Sequence, residues 1–188
     1  MDIQLLYWIN SHHCMLLDWL LAGVSAATDL YLLWFLLGIF IWLRDGREGK
    51  RIALCVFLAL ALTYISVDLA MKPLVARPRP FAALPDIRQL EVPLTGRLVP
   101  SPFSFPSGHC ASSMAAGCIL ASYYRRFRLP LCVLVVLVTY SRIYLGMHYP
   151  SDCIAGLAVG LLCALLARRV CGALPEMADN RLKRSPDG

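Results

Sequence analysis

Apolar residues in this 188-residue chain fall in long runs separated by short polar breaks. The runs cover about 14–28, 30–43, 52–71, 108–124, 129–145 and 152–167. Several approach the roughly 20 residues that an apolar helix needs to cross a bilayer. The pattern predicts an all-α integral membrane bundle of six transmembrane helices. The first two runs are short, and a single long span across them is the alternative, which would reverse the topology of that end. Ahead of them, Leu5, Trp8 and Ile9 recur at helical spacing within residues 1–13. This predicts an N-terminal interfacial helix.

The breaks differ from one another. Residues 44–51, 125–128 and those after Arg168 are basic. Lysine and arginine favour the cytoplasmic side, so these breaks put both termini inside. Residues 73–106 hold Pro73, Pro78, Pro80, Pro85, Pro93, Pro100, Pro102 and Pro106. Proline lacks an amide donor and interrupts helix, so this is read as an outward-facing loop carrying Arg77, Arg79, Arg88 and Arg97. A loop of that length in a compact bundle points to a lid or binding loop. Residues 1–171 form one domain, and the polar tail 172–188 is predicted to be disordered and cytoplasmic.

Composition agrees: 59% of residues are hydrophobic and 16% charged, against about a quarter charged in soluble domains. The formal net charge of +6 is explained by the basic breaks, so nucleic acid is not a predicted partner. The eight cysteines contain no C-x-x-C pair and read as small apolar packing residues. Residues 1–13 lack the basic start and cleavage pattern of a signal peptide.

Candidate chemistry sits at the ends of the runs. Lys72, Arg79 and Arg142 are cations at span ends, and arginine's planar fork matches phosphate oxygens. Ser107-Gly108-His109 opens a run, where helix N–H groups favour an anion and glycine permits close approach. By the predicted topology these clusters meet at the outer face as a phosphate cage. His148 and His109 can supply a nucleophile and a proton donor. Asp152, four residues after His148, is spaced to hold the imidazole. Asp68 lies one turn before Lys72 and reads as its ion-pair partner. No carboxylate cluster or H-E-x-x-H pattern suggests a metal, and no cofactor is predicted.

These residues compose three motifs: K-x6-R-P from Lys72 to Pro80, P-S-G-H from Pro106 to His109, and S-R-x5-H-x3-D from Ser141 to Asp152. Together they resemble the signature of the type 2 phosphatidic acid phosphatases, a superfamily that also includes the vanadium-dependent haloperoxidases. The resemblance implies that His148 attacks phosphorus to form a phosphohistidine. Asp152 would orient it, and His109 would protonate the leaving lipid oxygen. Lys72, Arg79, Ser107, Gly108 and Arg142 would hold the phosphate, with Arg77, Asp68 and Ser141 behind them. It implies a metal-independent lipid phosphate or diphosphate phosphatase of the bacterial inner membrane, with its site on the periplasmic face. Undecaprenyl diphosphate comes first among substrates, with phosphatidylglycerol phosphate, phosphatidic acid and lipid A 1-phosphate as alternatives. A lipid phosphotransferase using the same phosphohistidine is the second reading, and a non-enzymatic lipid-binding protein the third. The haloperoxidases are soluble, which sets their chemistry aside.

Overall fold

A computed structural model describes residues 1–27, 31–89 and 101–183, with side chains through 172. The expected break at Thr28-Asp29, Arg97 with loop residues 90–100, and 184–188 lie outside the described residues. The described elements are helical. They are α1 (Asp2–Asn10), α2 (Met15–Ala27), α3 (Leu32–Arg44), α4 (Gly46–Tyr64), a π-helical segment (Ile65–Met71), α5 (Lys72–Val75), α6 (Pro80–Ala83), α7 (Gly108–Tyr123), α8 (Arg128–Tyr144) and α9 (Pro150–Lys183).

The core of the bundle is α7 against α9, with α4 packed on both. Small residues make that approach possible. A Cβ built on Gly156 would lie 2.5 Å from the Ser107 carbonyl oxygen, and one on Gly160 would meet the Ala111 backbone. The two glycines stand four apart, the spacing by which membrane helices bring backbones into contact. Trp34, Val56, Ala59, Ala115, Ile119 and Ala164 fill the space around the pair. Outward faces carry Trp19, Leu36, Phe40, Val136, Ile154 and Leu162 exposed, as suits helices solvated by lipid.

Among the described residues, three stretches are long and apolar enough to cross a membrane: Gly46–Val75, Arg125–Tyr144 and Pro150–Gly172. The bent pair α2–α3, with 56° between its halves, counts as a fourth if it is one broken span. By length and composition the described residues thus hold three or four spans against the six expected, with 14–28 and 30–43 counted at most once. Cys14 N donates to Tyr144 Oη at 3.2 Å, and Ser25 near the other end of α2 bonds Arg142. Both ends of α2 thus reach the last turn of α8. α7 has 16 residues, short of the roughly 20 of a full crossing.

The placement of the termini also differs from expectation. Asp2 accepts hydrogen bonds from Ser151 N at 2.9 Å and Ser151 Oγ at 2.6 Å. It therefore sits at the first turn of α9. Gly172 lies 22 residues on, about 33 Å away at 1.5 Å per residue. The two terminal regions occupy opposite ends of the bundle, because α1 folds back over the end that carries Asp152. The basic breaks do gather at the far end, where Tyr124 Oη donates to Asp45 at 2.5 Å. Finally, α9 continues to Lys183 through most of the segment expected to be disordered, where Ala173, Leu174, Glu176, Met177, Arg181 and Leu182 favour helix.

Candidate active site

Each cluster reaches the site by a local device. The π-helical segment bonds to i+5 and adds residues to its turn, which re-aims the chain before Lys72. Ala76, at φ 48°, ends α5 in the left-handed region and sends Arg77-Pro78-Arg79 out in extended form. Pro78 and Phe103 form an antiparallel bridge, and Ser104 N donates to the Arg77 carbonyl at 2.8 Å. The two limbs of the proline-rich loop are thereby tied side by side. Gly146, at φ 68°, allows the tight turn that returns the chain from α8 to His148.

His148 is 1% exposed. Its Nδ1 donates to the Ser104 carbonyl at 2.8 Å, and the nearer Asp152 oxygen lies at 3.7 Å. Because Nδ1 carries the proton, Nε2 presents its lone pair. Arg79 Nη1 is 3.4 Å from Nε2. Burial first, and then Arg79, Arg142, Lys72 and His109, push the imidazole well below its ordinary pKa. A neutral imidazole whose Nε2 carries only this long Arg79 hydrogen bond can act as a nucleophile at pH 7 once a phosphoryl group takes over the guanidinium.

Three cations surround it. Lys72, Arg79 and Arg142 are all at most 6% exposed. Lys72 Nζ pairs with Asp68 Oδ1 at 2.5 Å, and Arg142 Nη1 donates to Ser25 Oγ. Arg79 donates to the carbonyls of Ser101 at 2.9 Å and Met147 at 3.2 Å. Burial, and then repulsion by Arg142, bring its guanidinium down to about 10. Like charges buried together are costly without an anion between them. A phosphoryl dianion among the three offsets that cost.

Ser107 caps α7: its Oγ accepts from Cys110 N at 3.5 Å, and its N donates to the Asp152 carbonyl at 3.0 Å. The anion seat at 107–109 is thus fastened to the start of α9. The atoms nearest a Cβ on Gly108 would be Tyr31 Oη and the Asp68 carboxylate, at 3.5 to 3.7 Å. That is ordinary contact, so protein packing does not demand glycine there. His109, partly buried, is near enough for its charge to bear on His148.

Arg77 is not one of these cations. Its Nη1 donates to Asp152 Oδ1 at 2.6 Å and to Ser151 Oγ at 2.8 Å, and its Nη2 to Asp2 at 2.9 Å. The guanidinium stacks 3.7 Å over the Tyr149 ring. Ser141 bonds back to the Val138 carbonyl at 2.7 Å and supports the last turn of α8. Asp68 fulfils its reading as the partner of Lys72 and also accepts from Tyr31 Oη at 2.6 Å. Sequence reasoning missed Ser104, Tyr31, Ser25 and Asp2. Ser104 acts through its carbonyl, which no residue type advertises, and the other three lie far upstream of the motifs.

The sequence pattern of the PAP2 superfamily matches residues 52–174. The chain belongs to the PAP2 superfamily. It is 32% identical over 170 residues, 85% of this chain and 72% of the relative, to the lipid A 4'-phosphatase of Bacteroides thetaiotaomicron. It is 26% identical over 167 residues, 88% of this chain and 80% of the relative, to the putative undecaprenyl-diphosphatase YbjG of Escherichia coli. The crystal structure of Aquifex aeolicus LpxE superposes with a TM-score of 0.72 at 26% identity, over 89% of this chain and 94% of that one. As a superfamily member with apolar helices of membrane-spanning length, this chain is a membrane-embedded phosphatase.

Proposed function

We propose that this protein is a multi-pass membrane lipid phosphatase, working through a phosphohistidine on His148. The observation that carries it is the buried neutral imidazole, with Nδ1 held by the Ser104 carbonyl at 2.8 Å and Nε2 turned toward Arg79. The phosphoryl oxygens are held by Lys72, Arg79 and Arg142 together with the Ser107–His109 helix start. Nε2 attacks phosphorus and the P–O bond to the lipid breaks. His109 gives its proton to the leaving oxygen. Asp152 steadies the imidazolium character that builds on His148. His109 then takes a proton from water as that water attacks the phosphohistidine, releasing phosphate and restoring Nε2. The cations supply the charge neutralisation that a metal supplies elsewhere.

The substrate class is a lipid bearing a phosphate or diphosphate, which keeps its tail in the bilayer. Lipid A-type phosphates and undecaprenyl diphosphate are the two to test first, since relatives carry those names. The basic residues around 44–51, 125–128 and 168–169, at the end away from His148, support a cytoplasmic far end and a site on the extracytoplasmic face of a bacterial inner membrane. The test is phosphate release in detergent across those lipids, with phosphatidic acid and phosphatidylglycerol phosphate alongside. His148→Ala should abolish release while the protein still purifies folded. Full activity in that variant would remove the mechanism. Accumulation of a doubly phosphorylated lipid with little free phosphate would move the assignment to a phosphotransferase.

A further inference from the structure

The N-terminal helix lies outside the stretch that matches the superfamily, yet it reaches the catalytic carboxylate. Asp2 accepts from Ser151 N at 2.9 Å, from Ser151 Oγ at 2.6 Å and from Arg77 Nη2 at 2.9 Å. Arg77 uses its other nitrogen on Asp152 Oδ1 at 2.6 Å. The Asp152 side chain is fully buried, and its Oδ2 accepts from Tyr149 N at 2.9 Å and faces His148 Nδ1 at 3.7 Å. A chain of hydrogen bonds therefore runs from Asp2 through Arg77 to Asp152, whose Oδ2 lies 3.7 Å from the His148 ring. Two further hooks fix α1 over this end: Tyr7 Oη donates to the Pro85 carbonyl at 2.8 Å, and Asn10 Nδ2 donates to the Tyr144 carbonyl at 2.8 Å.

From this geometry we infer that Asp2 is a positioning residue of the active site: by anchoring one arm of the Arg77 guanidinium it fixes the other arm on Asp152, and so sets the carboxylate against His148. A guanidinium is planar and rigid, so holding Nη2 determines where Nη1 points. Stacking on Tyr149 restricts the plane of the fork, and Asp2 fixes its rotation within that plane. Without Asp2, Arg77 keeps its ion pair with Asp152 but is free to draw the carboxylate out of line. Misplacements of this size in a catalytic array are costly in rate.

The inference rests on the phosphohistidine reading above, and the test separates the two. Initial rates are measured on a short-chain phosphatidic acid in detergent for the wild type, Asp2→Asn, Asp2→Glu, Arg77→Ala and the double variant Asp2→Asn/Arg77→Ala. Melting temperatures are taken in the same detergent. His148→Ala is run alongside, and its activity reports on the reading alone. Asp2→Asn should lower kcat roughly ten-fold with KM unchanged. Asp2→Glu should recover most of that loss. In the Arg77→Ala background Asp2→Asn should cost clearly less than in the wild type, because the path through Arg77 is gone and the bonds to Ser151 alone remain. An unchanged kcat in Asp2→Asn would overturn the inference. So would a loss that adds fully to that of Arg77→Ala, or one that follows the melting temperature alone.

Discussion

Replacing Asp152 by asparagine tests how the nucleophile is held. In hydrolase triads where a carboxylate alone fixes the histidine tautomer, the amide swap costs about 10⁴ in kcat. Here the proton on Nδ1 is directed to the Ser104 carbonyl at 2.8 Å, which the substitution leaves in place. The tautomer should survive. What is lost is the attraction between the carboxylate and the positive charge that builds on the imidazole during attack. For unit charges separated by the observed 3.7 Å, an effective dielectric of about 20 gives roughly 4.5 kcal/mol, or about three decades of rate. Arg77, bonded to the same carboxylate at 2.6 Å, already offsets part of that charge, which brings the loss to about 10²-fold. Asp152→Asn should therefore retain activity measurable by phosphate release, well above His148→Ala. Because the mutation leaves Arg77 with one anionic partner in place of two, the melting temperature should also fall. A loss of 10⁴ or more in a folded protein would show that Asp152, and not the Ser104 carbonyl, selects the tautomer. No loss would show that it does not act on the imidazole.

Three other outcomes are expected. Burial and the neighbouring cations hold His148 below its ordinary pKa, so the acid limb of kcat/KM should lie below about pH 6.5. Arg79→Gln, removing one of those charges, should move the limb upward in a pH–rate profile. The same depressed pKa means that the unfolded chain takes up the proton first. Stability is complete above pH 6.5 and should fall as the pH drops below it, a component that His148→Gln should erase from melts in detergent. Gly160→Ala places a methyl group against the Ala111 backbone and should destabilise by about 1–3 kcal/mol through overpacking, whereas Gly108→Ala, with room against Tyr31 and Asp68, should leave the melting temperature alone and impair phosphate binding. Because Lys72, Arg79 and Arg142 are assigned the charge work, activity should persist in excess chelator, and its loss there would contradict that assignment.

Much of the site could be read from spacing and charge. Lys72, Arg79, Arg142, His148 and Asp152 are polar residues at the ends of apolar runs, where a charge is too costly to be incidental. Asp68 four residues before Lys72 announced its ion pair. Other features leave no such trace. The Ser104 oxygen that orients His148 belongs to the backbone. Asp2 lies 149 residues from Ser151 and Tyr31 lies 37 from Asp68, and nothing local ties them to a motif. Apolar periodicity continues unbroken through the π-helical segment. The bend between α2 and α3 was hidden because a bent pair and two separate spans have the same composition. The direction of the N-terminus followed from that ambiguity. Net charge in the breaks located the far end, but it carries no information about a short helix that folds back over the near end.

The backbone contact between α7 and α9 has a consequence for how the enzyme meets its membrane. His109 rides on one of these helices and Asp152 on the other, with His148 just ahead of the second, and Gly156 and Gly160 bring the two backbones into direct contact. Bilayers differ in thickness by several ångströms, and helices respond by tilting. With their backbones in contact, α7 and α9 tilt together rather than sliding past one another. In the mechanism proposed above, proton donor and nucleophile would then keep their register while the lipid around them changes, so one catalytic core could serve membranes of different thickness without retuning its chemistry.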